Sequence, residues 1–367
     1  MNFLLVAGAR PNFMKIAPIM EAFAKRRAIS NGFSYRLVHT GQHYDRKMSA
    51  DFFTDLGIPE PNVNLAVCSG SHAEQTARVM VAFEKLCLED CPDWVVVVGD
   101  VNSTLACSLT AKKLGIRVAH VEAGLRSHDM RMPEEINRLC TDMVSDLLFT
   151  TDEGASENLR NEGIHAQKIE FVGNTMIDTL LRNRQRALGM SLPAGVTANA
   201  YAVLTLHRPS NVDSPRTLER ILEPIRELAR NLPVVFPVHP RTQRNLEKFG
   251  LLNWPDADMR LIEPLSYLPF IGLVARSKMV LTDSGGIQEE TTVLGVPCIT
   301  MRENTERPVT CTVGTNILAG TDSERIREAI CLVVKGIPAP KRIPDKWDGH
   351  AAERIVARLL DEHSVSC

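Results

Sequence analysis

Trp94-Val95-Val96-Val97-Val98-Gly99-Asp100 is the stretch on which the fold turns. Five apolar residues, four of them valine, stop at a glycine and an aspartate. A run that short and continuous is the pattern of a strand buried on both faces, as in a parallel sheet covered by helices. The same unit recurs on either side. Ser103–Leu114 has helical spacing, Arg117–Val121 is the next strand, Pro133–Val144 a helix and Asp146–Thr150 a strand. Upstream, Phe3–Ala7 and Tyr35–Thr40 read as strands, and Ile16–Arg26 and Gln75–Leu88 as helices. This alternation predicts a doubly wound α/β domain.

The rhythm then restarts. Ile169–Val172 is a last short strand and Thr175–Leu188 a helix. Ser191–Ala200 is polar, contains Gly and Pro, and reads as the end of a linker. Strands follow at Tyr201–Leu206, Val234–Val238, Met279–Thr282 and Pro297–Thr300, with helices over Thr217–Asn231 and Gly286–Leu294. Gly336–Trp347, rich in Pro and Lys, is expected to be irregular, and Ala351–His363 to be a closing helix. Two doubly wound, Rossmann-like domains facing each other across a cleft are expected. In such sheets ligands bind beyond the carboxyl ends of the strands.

Composition narrows the partners. The 367 residues are 44% hydrophobic with a net charge of −2, and no basic block suggests a nucleic-acid groove. No apolar run approaches the roughly 20 residues that span a bilayer. Met1–Val6 is too short for a signal peptide, so a cytoplasmic protein is expected, with no membrane partner. The nine cysteines are scattered, Cys87 and Cys91 are the closest pair, and reduced thiols without a metal site are expected.

Polar residues gather where strands end. Gly8-Ala9-Arg10-Pro11-Asn12 follows the first strand, with Lys15 one turn on. It lacks the G-x-G-x-x-G of a dinucleotide-binding turn. Arg10 and Lys15 are either anion-binding cations at a helix start or surface cations of a plain turn. Asp100 ends the quoted strand, as a reacting group or as a turn residue beside Asn102 or Ser103, either of which can cap the next helix. Glu122 sits at the tip of an apolar strand, where a carboxylate needs a role or a partner. Glu134 follows Pro133 in a first helical turn, where it suits the helix dipole and can pair with Arg138. Three carboxylates at one end of one domain can serve as acid and base.

The second half supplies cations and glycines. His207 and Arg208 end one strand, and His239 the next. Thr282-Asp283-Ser284-Gly285-Gly286-Ile287-Gln288-Glu289-Glu290 runs from a strand through a Ser-Gly-Gly turn into a helix. Glycines let backbone N–H groups approach a phosphate, and Glu290 can accept from a ribose diol. A tight turn with a capped helix is the plainer alternative. Met301–Pro308, with Arg307, follows the last strand as a site segment or a solvated loop.

Together these segments resemble the UDP-N-acetylglucosamine 2-epimerase family. The resemblance runs through Gly8–Pro11, Gly41-Gln42-His43, Gly99-Asp100, His120–Arg126, Pro133–Glu135, Gly173–Thr175, His207-Arg208, Asp283–Glu290 and Thr305–Pro308, nearly the whole chain. It implies the glycosyltransferase-B fold, a homodimer, a UDP-sugar substrate and no metal or nicotinamide cofactor. It implies an N-terminal domain of residues 1–173, with helix 351–367 crossing back to it, and a UDP-binding domain of residues 174–350. Asp100, Glu122 and Glu134 match the family's catalytic carboxylates. The implied route removes the C2 proton as UDP leaves C1, giving 2-acetamidoglucal, and then reverses on the other face. Arg10, Lys15, His207 and the Ser284-Gly285-Gly286 turn would hold the pyrophosphate, and Glu290 the ribose.

Val101-Asn102 after Gly99-Asp100 fits the non-hydrolysing branch, since hydrolysing members typically carry Arg two residues after that Gly. Asp45 stands where members activated by their own substrate carry Gln, and Cys68-Ser69-Gly70-Ser71-His72 offers no counterpart to their Arg. Gly41–Asp45 and Ser69–His72 are similar to relatives acting on a UDP-diacetamido-uronic acid. The alternatives are therefore that substrate, the hydrolysing reaction, and, from other classes, a glycosyltransferase or an inactive sugar-nucleotide-binding protein.

Overall fold

Two parallel sheets, of seven and six strands, carry the chain in the computed structural model. It describes residues 1–29, 31–41, 56–254, 257–336 and 342–362, without the side chain of Arg10. Gln42, His43 and Asp45 lie outside the described residues. The chain divides into two compact units, Met1–Arg182 with Asp345–Cys367, and Asn183–Pro344.

The first sheet holds β1 (Asn2–Ala7), β2 (Ser34–His39), β3 (Val63–Asn64), β4 (Trp94–Val98), β5 (Arg117–Ala123), β6 (Leu147–Thr150) and β7 (Ile169–Phe171). Their order is β3-β2-β1-β4-β5-β6-β7, all parallel. The quoted valines are buried on both faces. Val95 and Val97 point to one side, onto Val79, Phe83, Ala106 and Cys107 of the two helices packed there. Each such buried valine contributes about 1.5–3 kcal/mol of transfer free energy. Strand order reverses between β1 and β4, so the exits of those strands diverge to opposite faces and leave a crevice at their carboxyl ends.

The second sheet holds β8 (Ala202–Thr205), β9 (Val234–Pro237), β10 (Met259–Ile262), β11 (Met279–Thr282), β12 (Cys298–Thr300) and β13 (Asn316–Leu318). Its order is β10-β9-β8-β11-β12-β13. Here the reversal lies between β8 and β11, so His207 and Asp283 leave from its two sides.

Some expectations change. The first helix runs Arg10–Arg27, so the segment read as a turn is already helical at Arg10. Pro11 occupies its first turn, where a missing N–H costs nothing. Val101, not Asn102 or Ser103, is the N-cap of helix Asn102–Lys113. The unit division falls inside helix Thr175–Leu188 rather than in residues 191–200. Leu192 and Val196 of that polar stretch pack on the second unit's core, and Arg276 Nη2 donates to the Met190 carbonyl at 2.6 Å.

The closing helix, Ala351–Asp361, belongs to the first unit. Asp178 accepts from the amides of Ala351 (3.2 Å) and Ala352 (2.7 Å) at its start. Burial outweighs those two bonds and pushes the Asp178 carboxyl up to about 6. Just upstream, Trp347 Nε1 donates to the Thr151 carbonyl at 2.9 Å. Gly173, at φ +94°, lets this chain pass, since a Cβ there would stand 2.0 Å from the Lys346 oxygen. Among the described residues no helix is long and apolar enough to cross a membrane.

Candidate active site

At the reversal point of the first sheet, Lys15 of the first helix pairs with Glu122 of β5, both side chains nearly buried. Gly99, between them at the tip of β4, has φ +67°, and a Cβ there would stand 2.9 Å from Lys15 Nζ and 3.3 Å from Glu122 Oε2. Glycine is therefore required twice, by conformation and by space. Asn12 fixes the same corner, accepting from the Ala9 amide (2.9 Å) and donating to the Val98 carbonyl (2.8 Å).

Glu122 is the extra residue of a bulge. The pairing of β5 with β6 shifts register between Val121 and Ala123, and Glu122 has φ +70°. A non-glycine residue in that region costs about 1–2 kcal/mol. Bulges of this kind re-aim a side chain at a strand tip.

Asp100 is held by Arg138, whose Nη1 donates to Oδ2 at 2.5 Å. Arg138 also grips Glu135, Nη2 to Oε2 at 2.5 Å and Nε at 3.0 Å. Glu135 further accepts from the amides of Ser127 (3.0 Å) and His128 (2.8 Å). Burial would raise the Glu135 carboxyl, but these amides and Arg138 outweigh it and hold it below its ordinary value. Glu134 is exposed in the first turn of helix Pro133–Val144 and makes no hydrogen bond or ion pair among the described residues. Sequence reasoning named Glu134 and passed over Glu135, the buried anchor three residues before Arg138. Asn102, read as a possible cap, instead donates to Gln75 at 2.9 Å, and Asn137 donates to the Asp100 carbonyl at 2.9 Å.

In the second unit Asp283 organises the corner between β8 and β11. Its carboxylate accepts from the amides of His207 (3.1 Å) and Arg208 (2.9 Å), from Asn211 Nδ2 (3.2 Å), and from His207 Nδ1 (2.8 Å). Burial is outweighed by His207 and these amides, so the Asp283 carboxyl lies below its ordinary value. The His207 side chain, 46% exposed, is thereby oriented with Nε2 left for a ligand. The His239 ring lies 6.5 Å from that of His207. Burial, with His207, Arg241 and Arg244 adding to it, lowers the His239 pKa and keeps that ring neutral.

Helix Gly285–Leu294 opens after Ser284, whose side chain makes no cap bond. Its first N–H groups and the positive end of its dipole are thus presented together. Gly285 leaves room for Arg307, whose Nη1 would lie 2.7 Å from a Cβ at that position. Arg307 Nε is 2.7 Å from Glu289 Oε1, and its Nη1 reaches Glu306 Oε2 at 3.3 Å. Arg302 binds both oxygens of Glu306, at 2.9 and 2.6 Å, and Arg208 lies 3.7 Å from it. Arg307 is therefore a nearly buried part of the helix-start scaffold and not a solvated loop residue. Glu290 is buried, and its Oε1 has no hydrogen-bond partner among the described residues. Burial raises its carboxyl to about 8, the Tyr267 phenol opposing the rise and the Glu289 charge adding to it. A buried acceptor left open in this way fits a ligand that brings its own donors.

An open helix start and a buried carboxyl awaiting donors thus lie in one unit, and a separate set of anchored carboxylates in the other. The family described as UDP-N-acetylglucosamine 2-epimerase matches residues 26–360. A UDP-N-acetylglucosamine 2-epimerase of Methanocaldococcus jannaschii is 43% identical over 98% of this chain and 99% of its own. A UDP-2,3-diacetamido-2,3-dideoxy-D-glucuronate 2-epimerase of Pseudomonas aeruginosa is 44% identical over 90% of this chain and 91% of its own. The crystal structure of the M. jannaschii enzyme in complex with UDP-GlcNAc and UDP superimposes with a TM-score of 0.87, covering 98% of this chain and 100% of that one at 40% identity. The chain belongs to the UDP-N-acetylglucosamine 2-epimerase family, and its activity is that of an isomerase of nucleotide sugars.

Proposed function

We propose that the protein interconverts UDP-N-acetylglucosamine and UDP-N-acetylmannosamine without net hydrolysis, by elimination and re-addition of UDP. The carrying observation is Glu122, held on a bulge against Lys15 at one strand tip, with Asp100 held by Arg138 at the neighbouring tip. The C2 proton is not acidic, because no carbonyl adjoins it. It is removed as the C1–O bond breaks, the bonding pair leaving with UDP, and 2-acetamidoglucal remains. Re-addition forms the C1–O bond again and delivers a proton to the opposite face of C2. One group takes a proton and another gives one, and Asp100, Glu122 and Glu134 are the groups offered for these two tasks. His207 and the first amides of helix Gly285–Leu294 stabilise the charge that develops on the pyrophosphate. Glu290 accepts from the ribose diol. No hydride moves, so the route is redox-neutral.

The Pseudomonas relative supports a second reading, in which the sugar is a 2,3-diacetamido-uronic acid. Proton NMR in D2O with each UDP-sugar, without added NAD or metal, separates the readings. Exchange at C2 of UDP-GlcNAc with UDP-ManNAc at equilibrium is expected. Free ManNAc would instead mark the hydrolysing reaction. Turnover of the uronate alone would move the substrate, and silence on both would favour a transferase or a binding protein.

A cytoplasmic homodimer is part of the proposal. Its support is the apolar pairs that two helices of the first unit leave exposed, Val81 with Leu88 and Ile136 with Met143, Ile136 also lining a groove of about 530 Å³. Faces of this kind mark protein contacts.

A further inference from the structure

We infer that Asp142 and His120 form a buried clamp that positions the strand tips bearing Glu122 and Asp100, and that turnover depends on it. The inference rests on the reading of those carboxylates as reacting groups. Neither clamp residue can meet substrate, since their side chains are 1% and 0% exposed.

Asp142 lies in the last turn of helix Pro133–Val144. Its Oδ1 lies 2.6 Å from His120 Nδ1, and its Oδ2 accepts from the Gly124 amide at 3.1 Å. His120 and Gly124 stand two residues before and two after Glu122, so one carboxylate holds the strand on both sides of the bulge. The other edge of the imidazole faces the first sheet's switch point, with Nε2 2.8 Å from the carbonyl oxygen of Gly99, the residue before Asp100. Arg126 Nη2, 2.7 Å from Asp142 Oδ2, completes the set and is itself held by Glu162 at 2.7 and 2.6 Å.

Donor and acceptor chemistry fixes one proton. A carbonyl oxygen only accepts, so His120 Nε2 carries a hydrogen. Asp142 Oδ2 faces two donors, the Gly124 amide and Arg126, and Oδ1 shares a hydrogen bond with His120 Nδ1. Burial would raise the Asp142 carboxyl, but His120 and Arg126 outweigh it and hold it below its ordinary value. His120 is therefore a buried ring held at both nitrogens, between the Asp142 carboxyl and the Gly99 carbonyl. The bulge needs such a restraint. Glu122 pays for a left-handed φ, and a strand that lost the extra residue would turn its side chain to the opposite face. The same helix carries Glu134 in its first turn and sends Arg138 to Asp100, so the clamp registers all three carboxylates.

The test uses the full chain with Asp142→Ala, Asp142→Asn, His120→Ala and the Ala/Ala double variant. Asp142→Ala is expected to lower kcat about 100-fold, the cost of misplacing a reacting group by about 1 Å. UDP affinity should stay within about twofold, because the UDP-binding groups reside on the other unit. Asp142→Asn should restore most of the rate. Its amide oxygen can accept from Gly124, while its NH2 donates to a neutral imidazole whose Nε2–H still reaches Gly99. The double variant should lie within about threefold of the worse single one, since both residues act through one link. If Asp142→Ala does not fold, His120→Ala and Asp142→Asn carry the comparison.

Unchanged kcat in Asp142→Ala, or equal losses of kcat and UDP affinity, would overturn the clamp. So would an Asn variant as impaired as Ala. Nitrogen NMR of the imidazole gives an independent reading, because His120 Nε2 must carry a hydrogen to reach the Gly99 carbonyl, and a bare Nε2 overturns the clamp whatever the activity. A wild type silent on both UDP-sugars would instead overturn the epimerase reading. The clamp would then be judged by those nitrogen signals and by displacement of the Glu122 and Asp100 amide signals in Asp142→Ala.

Discussion

The carboxyl ends of the two sheets solve opposite electrostatic problems. At the first, five carboxylates already lie on three cations: Glu122 on Lys15, Asp100 and Glu135 on Arg138, Asp142 and Glu162 on Arg126. At the second, groups are left facing outward or open: a half-exposed His207, a helix start without a side-chain cap, and the Glu290 oxygen. Paired charges hold a geometry and give up little to a ligand. Open donors and acceptors gain most from a ligand. In the proposed function the first end serves a reaction whose outcome depends on which face of C2 a proton meets, and the second serves binding.

The sharpest way to break this contrast is to neutralise a carboxylate at the first end. Glu122→Gln and Asp100→Asn each keep shape and remove the ability to exchange a proton. Turnover should fall about 10³- to 10⁴-fold, the upper range for a general acid or base. UDP affinity by calorimetry should hardly change. Near-normal turnover in either variant would remove that residue from the chemistry. A parallel loss of UDP affinity would erase the division of labour.

The second end should behave otherwise. His207→Ala removes an oriented imidazole and leaves buried Asp283 short of one donor, so both UDP affinity and turnover should drop, each by about tenfold or more. A variant that lost turnover alone would move His207 to the chemical side of the comparison.

Glu290 sharpens the contrast through pH. Its folded value of about 8 lies above the ordinary carboxylate value, so the folded state holds a proton that the unfolded chain releases. Stability of the free protein should therefore fall as pH rises from about 4.5 through 8. Ribose hydroxyls donate best to the ionised form, so UDP affinity should rise over pH 6–8 and then level. Glu290→Gln should flatten both profiles, weaken UDP about tenfold at pH 8, and raise the melting temperature of the free protein there. An unaltered UDP profile would release Glu290 from the ribose.

The two ends were unequally legible in the sequence. The strands that form the middle of each sheet announce themselves as apolar runs, and Asp100, His207, His239 and Ser284 each stand two residues past one. The edge strands β3, β10 and β13 were missed because they are short, and β10 is only half-buried along its length. Glu134 drew notice as one of two adjacent glutamates behind Pro133, although the structure buries Glu135. The signal was position, since Glu135 is the third residue of its helix and can reach back to preceding amides. Asp142 carried no local mark. Its trace lay in His120, a polar ring in the middle of an apolar strand that must find a partner. Pairings such as Arg307 with Glu289 bring together residues from a helix and a later loop, which spacing alone does not encode.

The smallest effect is expected at a residue that belongs to neither set. Asp178 anchors the closing helix, and its folded value of about 6 lies above the ordinary one, so its contribution to stability declines as pH rises through about 4 to 6. Asp178→Asn removes the buried charge and keeps an oxygen for the nearer amide, that of Ala352, but turns an NH2 toward Ala351. Relief of burial and loss of the longer bond oppose each other. The melting temperature at pH 8 should move by no more than about 2–4 °C, equivalent to about 1 kcal/mol. Its dependence on pH between about 4 and 6 should flatten. Turnover and UDP affinity should both stay at wild-type values, because this residue belongs to neither end. A fall in either one would mean that the helix start at Ala351 is coupled to a strand tip, and the contrast would then involve three regions instead of two.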